Sequence, residues 1–182
     1  IGDRKEVSWN GKTVVTGIFK SSVHHPIFLG ETDVTGDNVV DRKHHGGIDK
    51  ACYSYSADHY DYWKTQFPDT DLSFGAFGEN LTVQGMDERQ IRIGNQYRIG
   101  EEVIVEVAQP RQPCMKLGVR FGTQRIVKAF IQSPFSGVYF RVLTPGFVSS
   151  GDEFVLTKEM TENPTICDVH GLLGKDKDLE LA

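Results

Sequence analysis

The sequence predicts a mainly β domain, a barrel or sandwich with a few peripheral helices. Three observations predict it. Glycine-marked turn signals recur along the whole chain, with 19 glycines among 182 residues. The stretches between them are short and alternate apolar with polar residues at the two-residue period of a strand. Helical spacing of apolar residues is confined to a few short segments. Many short strands with few helices form the pattern of a β barrel or sandwich.

The elements follow in order. "VSWNGKTVV" places Asn10-Gly11 between strand-like flanks, a hairpin signal. "KACYSY" alternates as a strand, with Cys52 as a small core residue. "SADHYDYWKTQF" predicts a helix: Ser56 is an N-cap, Asp58 sits in the first turn, and Tyr60, Trp63 and Phe67 share one face. "QIRIGNQYRIGEEVIVEVAQP" turns at Gly94-Asn95 and then alternates through Val103, Val105 and Val107. "TQRIVKAFIQ" predicts a second helix facing Ile126, Val127, Phe130 and Ile131 inward. "GVYFRVLTPGFVSSGDEFVLTKE" predicts two more strands, with turns at Pro145-Gly146 and Gly151-Asp152. In "NPTICDVHGLL", Thr165 caps a third helix carrying Ile166, Val169 and Leu173. The expected organisation is a β domain over 1–160 and the start of a helical extension over 161–182. That extension is too short to fold alone and reads as incomplete.

Composition bounds the function. Hydrophobic residues make up 38% and charged residues 25%, as in a soluble globular protein. No apolar run approaches the roughly 18 residues of a membrane span, so no membrane partner is expected. The opening "IGDRKEVSW" is charged and shows no signal peptide, and the absence of a leading Met leaves room for residues before Ile1. A net charge of −5 argues against a nucleic-acid polymer as partner. Cys52, Cys114 and Cys167 are odd in number, widely spaced and outside any C-x-x-C pair. That pattern fits neither a disulfide framework nor a structural zinc site, and a reducing cytoplasm suits it.

The polar clusters each carry two readings. "DRKHHGGIDKACY" gathers Arg42, Lys43, His44, His45, Asp49 and Lys50 around Gly46-Gly47. It is a backbone nest for an anion or a solvated turn. "FGAFGENLTVQG" matches no standard nucleotide loop. Its Glu79 and Asn80 are groups beside a pocket or ordinary turn residues. The six histidines form no H-E-x-x-H pair, and His59 reads as a helix-packing residue. Cys114 in "AQPRQPCMKL" has the stronger case. Pro110 and Pro113 stiffen the chain, and Arg111 and Lys116 flank the thiol with charge that stabilises a thiolate. The competing reading is an inert buried thiol.

Four stretches, "DRKHHGGIDKACYSYSADHYDYW", "FGENLTVQG", "QPRQPCMKL" and "VLTPGFVSSGD", occur together in this order. With them the chain resembles a MOSC domain, the domain named for the C-terminus of molybdenum cofactor sulfurase, and within it the YiiM-like branch. The resemblance runs over about residues 10 to 157, and "NPTICDVHGLL" resembles the start of that branch's helical extension. It implies a MOSC-type β-barrel that binds the molybdenum cofactor (molybdopterin); pyridoxal phosphate is not expected.

The family's Q-P-R-x-P-C cysteine is the protein ligand to molybdenum, which makes Cys114 the expected ligand here. Lys20 in "GIFKSSV", Arg42, Arg111 and Lys116 become candidates for the pterin or its phosphate tail. His45 in H-G-G-x-D-K, rather than its neighbour His44, becomes the candidate for a hydrogen bond or proton transfer at the metal. Asp49 is expected to orient it or bind the pterin, and Asn80 to contact the pterin. The implied activity is reduction of small N-hydroxylated compounds, such as N-hydroxylated purine bases and amidoximes. No flavin or iron–sulfur motif is visible, so an external electron donor protein is implied. A homodimer stays open. Two other readings stand beside it: a cofactor or sulfur carrier module without turnover, and a hydrolase using Cys114 and His45.

Overall fold

The computed structural model describes residues 1–172, without the side chains of Lys43 and His44. The expected Leu173 and the rest of the extension to Ala182 lie outside the described residues, as does the His44 ring. β1 (Lys5–Trp9) and β2 (Lys12–Thr16) form the antiparallel hairpin expected at Asn10-Gly11. Both turn residues have positive φ, 49° and 74°, which a tight two-residue turn with the twist of its strands requires.

The centre is a six-stranded sheet. It comprises β4 (Cys52–Ser56), β5 (Leu81–Val83), β6 (Gln96–Ile99), β7 (Val103–Pro110), β8 (Val138–Thr144) and β10 (Phe154–Lys158). Their order is β10-β6-β7-β8-β4-β5, antiparallel throughout except for the parallel β4–β5 pair. Register shifts at Ile104/Val105 and Val107/Gln109 interrupt the β7–β8 ladder; such irregularities bend a sheet and deepen its twist. The sheet curls into a half-barrel with β10 and β5 as its edges. A small second ladder joins β3 (Ile27–Leu29) to β9 (Gly146–Val148).

The structure corrects two expectations along the C-terminal strands. The stretch from Gly137 holds three strands, and Pro145-Gly146 is no hairpin turn. Pro145 alone separates β8 from β9. A proline has no N–H for the ladder, and beyond it the chain leaves the main sheet to pair with β3.

Helices pack on one side of this frame. The region from Ser56 helps nucleate α2 (Tyr60–Gln66), where Ser56 accepts from the Asp58 N–H at the start of a 3-10 turn. α4 (Arg125–Gln132) buries Ile126 and Phe130 completely, while Val127 and Ile131 are half-buried. Two helices were not visible in the periodicity: α1 (Arg42–His45) and α3 (Met115–Phe121), each too short for a pattern to register. At the end, Thr165 and Asp168 exchange hydrogen bonds in a capping arrangement. The helical turn that follows buries Ile166 in the main core. Among the described residues no helix is long and apolar enough to cross a membrane.

Strand alternation divides the interior in two. Cys52, Val138, Phe140, Val103, Val105 and Val107 face one cluster inside the curl. Tyr53, Tyr55 and Tyr139 point the other way, onto Trp63, Phe77, Phe121 and Phe130 beneath the helices. β4 and β8 are therefore covered on both faces, and side chains held there are rigid.

One buried carboxyl organises the turn between α2 and β5. Glu79, 2% exposed, accepts from Gly75 N (2.8 Å), Phe77 N (3.1 Å), Thr82 Oγ1 (3.0 Å) and the Tyr60 hydroxyl. Removing it strands four donors in an apolar interior. Glu79→Ala is expected to lower unfolding free energy by roughly 2–4 kcal/mol, read by urea denaturation. A loss under about 0.5 kcal/mol would show that water replaces it without penalty.

Candidate functional site

Cys114 stands at a strand-to-helix corner. β7 ends at Pro110, residues 111–114 run without regular structure, and α3 begins at Met115 with extended Cys114 (φ −122°, ψ 175°) as its N-cap. Of the three cysteines, Cys114 is the one that lines the cleft. Cys52 is fully buried, and burial pushes its thiol up to about 12. Burial also raises the Cys167 thiol.

The corner forms one wall of an open cleft. The cleft has two lobes that share Asp41, His45, Lys50, Cys114, Lys116 and Tyr139. The inner lobe runs toward Lys20, Asp37, Asn80 and Arg111. The outer lobe opens past Gln109, Gln112, Pro113 and Met115.

Its charges are arranged with care for compensation at one end only. Lys20 donates to Asp37 at 2.7 Å, both side chains being nearly sealed from solvent. Asn80 Nδ2 and Gly2 N also donate to Asp37, at 2.9 Å each. Burial alone would raise the Asp37 carboxyl; the Lys20 charge and these hydrogen bonds outweigh it and hold the group below the usual carboxylate range. Asn80 is fixed in turn by accepting from Tyr53 N at 3.1 Å. Arg111 is different. It is 5% exposed, donates to the Phe77 carbonyl, and lies over the Tyr53 ring (5.0 Å) and the Phe130 ring (5.7 Å). Among the described residues it has no carboxylate partner, and neither has Lys116.

His45 closes α1 and faces these cations. Burial first, then Arg111, Lys116 and Lys50, push its ring down to about 4, against a smaller opposing pull from Asp41. The ring is neutral at pH 7. The neutral ring offers one N–H donor and one acceptor.

Of the residues singled out in the sequence, Lys20, His45, Asn80, Arg111, Cys114 and Lys116 meet at this cleft. Arg42 and Asp49 do not. Arg42 is exposed and donates to Asp33 at 2.5 Å; Asp49, also exposed, is held by Arg141. Both sit on the outward side of the 41–50 segment, whose inward side carries Asp41, His45 and Lys50. Asp37, Asp41, Lys50, Tyr53 and Tyr139 line the cleft without having been singled out for it. Lys50 closes the H-G-G-x-D-K motif and was findable there. Tyr53 and Tyr139 reach the cleft through strand register, Tyr53 lying opposite Tyr139 and Tyr139 opposite Gln109, which no local signal carries. Among the described residues no three His, Cys, Asp or Glu side chains gather as a metal-binding group. His59 packs as expected, stacked on Phe135 and bonded to Glu88 at 2.7 Å.

The MOSC domain sequence model matches residues 41–155, more than half of the chain. The protein YflK of Bacillus subtilis is 42% identical over 151 residues, 83% of this chain and 67% of that protein. YiiM of Escherichia coli is 34% identical over 81% of this chain and 66% of its own length. A protein of Gibberella moniliformis named "Reductase" is 36% identical over 80% of this chain, but that match spans only 26% of the relative. Among solved structures, YiiM from Geobacillus stearothermophilus superposes with a TM-score of 0.77 at 32% identity, covering 98% of this chain and 83% of the other.

The His45 ring sets a pH dependence. Its folded value, about 4, lies below the unfolded value near 6.5. Between the two, the unfolded chain binds a proton that the folded chain refuses. Stability therefore falls as pH drops through about 6.5 and the contribution levels off below about 4. Urea unfolding at pH 7.5 and pH 5 should show wild type losing about 1–2 kcal/mol more than His45→Gln. Equal losses in the two proteins would remove His45 as the cause.

Proposed function

The chain belongs to the MOSC domain family, and on that premise we propose that it is a molybdenum-cofactor-dependent reductase of small N-hydroxylated compounds, with Cys114 as the protein ligand to the metal. The observation that carries this reading is the cleft's unbalanced charge. A protein of net charge −5 places two cations, Arg111 and Lys116, in the cleft with the Cys114 thiol, and among the described residues neither makes an ion pair with a carboxylate. A buried guanidinium without an anion is costly. An anionic, sulfur- and phosphate-bearing cofactor would complete it.

The donor set fits such a group. The Cys114 sulfur would be a soft ligand suited to a sulfur-rich metal centre, and the two prolines beside it limit its wander. Arg111, Lys116 and Asn80 would hold the pterin and its phosphate, with Lys20 acting through its pair with Asp37. Once bound, the cofactor supplies two-electron redox chemistry and oxygen transfer. The chain's residues bind, orient and exclude water. The neutral His45 ring lines the same cleft as Cys114 and would offer a hydrogen bond there, and a bound anion would offset the cations that help depress it. Reduction of an N–OH group consumes two electrons and two protons and releases water, so an external electron donor is part of the proposal. The relative named "Reductase", in which the matched region is joined to a much longer chain, supports a redox setting for this domain.

Protein made in a molybdenum-replete host is expected to contain molybdenum and pterin and to reduce an N-hydroxylated purine base when given a chemical reductant. Cys114→Ser should remain folded but lose metal and activity; Cys52→Ser and Cys167→Ser should keep both. Full activity in Cys114→Ser would sink the assignment. Metal retention without turnover in wild type would favour a cofactor carrier, and metal-free hydrolysis blocked by alkylation would favour a thiol hydrolase.

A further inference from the structure

Four tyrosines are buried in this protein, and three have a hydrogen-bond acceptor. Tyr53 donates to Ser136 O at 2.9 Å, Tyr55 to Phe135 O at 3.3 Å, and Tyr60 to Glu79. The fourth is Tyr139. It is 8% exposed, its ring packs on Tyr53 at 4.9 Å, and it lines both lobes of the cleft. Among the described residues its hydroxyl has no hydrogen-bond partner. That hydroxyl is not sealed in the interior: it reaches the open cleft, where it can donate to what binds there. Its position on β8, between two ladder partners, gives it no freedom to turn elsewhere.

The surroundings say what kind of acceptor it is built for. The Tyr139 hydroxyl lies within electrostatic reach of the Cys114 thiol and the Arg111 guanidinium. The two lobes differ in character beyond the wall they share. The inner lobe alone owns Lys20, Asp37 and Arg111. No charged residue belongs to the outer lobe alone, which adds two amides, Gln109 and Gln112, two proline rings and the half-exposed Met115. Paired donors and acceptors beside apolar surface suit a neutral, flat, polar-edged molecule.

We propose that Tyr139 anchors a substrate subsite in the outer lobe, donating a hydrogen bond to the N–OH oxygen of a neutral, planar N-hydroxylated compound. This rests on the reductase reading for the reaction, though not for the binding. The aromatic ring stays packed on Tyr53 when the hydroxyl is removed, so Tyr139→Phe deletes one donor and leaves the wall intact.

The test compares 6-hydroxylaminopurine with adenine, neutral purines that differ by one oxygen, by titration calorimetry on the protein purified from a molybdenum-replete host. Wild type should bind the hydroxylated base more tightly. Tyr139→Phe should weaken it roughly tenfold, leave adenine unchanged, and keep molybdenum and pterin content. The anchor is overturned if the preference survives in Tyr139→Phe, if wild type shows no preference, or if neither base binds. Loss of pterin in Tyr139→Phe would also overturn it, by placing the hydroxyl on the cofactor. Failure of the Cys114 reading is visible separately, as absence of metal from wild type, and leaves the binding comparison intact.

Discussion

The site depends on one buried cation. Arg111 leaves β7, passes under the corner that carries Cys114, and donates to the carbonyl of Phe77. That carbonyl belongs to the turn which Glu79 holds together and which delivers Asn80 to the cleft. The two motifs that line the inner lobe, Q-P-R-x-P-C and F-G-E-N-L, are thus joined through a single guanidinium. Its flat faces are covered by Tyr53 and Phe130, which ties the same group to β4 and α4. A lysine would not serve, because it offers neither the planar face nor the fixed fork.

Satisfying Arg111 by a carbonyl and two rings leaves its charge unanswered, and the contrast with Lys20 shows that this is a local choice. Lys20 has Asp37 at 2.7 Å, and Asp37 is further bound by Asn80 and Gly2. That end of the cleft is neutral and finished. The end near Cys114 carries Arg111 and Lys116 with Asp41 nearby, and burial first, then these cations, depress His45. A folded protein tolerates such an imbalance where an anion completes the site or where the fold elsewhere compensates the cost. Two covered strands, β4 and β8, and the aromatic cluster beneath the helices supply that compensation.

Much of this was legible in the sequence, and the limits have physical causes. The hairpin at Asn10-Gly11, the buried face of Val103, Val105 and Val107, and the Tyr60–Trp63–Phe67 stripe rest on short-range periodicity. Periodicity survives folding when one face of an element meets a core. The helices α1 and α3 span four and seven residues, too few for a period to show. β9 was hidden for another reason: a proline reads as a turn, and only the presence of β3 as a partner converts the following three residues into a strand. In the site, motif-borne residues came together where their segment faces inward. Arg42 and Asp49 share a segment with His45 and Lys50 but point outward to Asp33 and Arg141. Sequence adjacency identifies the segment, not the side of it that faces the cleft.

Tyr53 and Tyr139 show the complementary limit. Each is one of two aromatic residues on its strand, and nothing in "CYSYS" or "VYFRVLT" separates a core ring from a cleft ring. Register does. The β7–β8 ladder sets Tyr139 opposite Gln109, and the β4–β8 ladder sets it opposite Tyr53. Five residues beyond Gln109 the chain reaches Cys114. A one-residue slip in either ladder would send Tyr139 into the opposite core and bring a phenylalanine or valine to the wall. The shift between Val107 and Gln109 is therefore part of the site: by inserting a step into β7 just before the corner, it sets which side chains of β8 look toward the thiol.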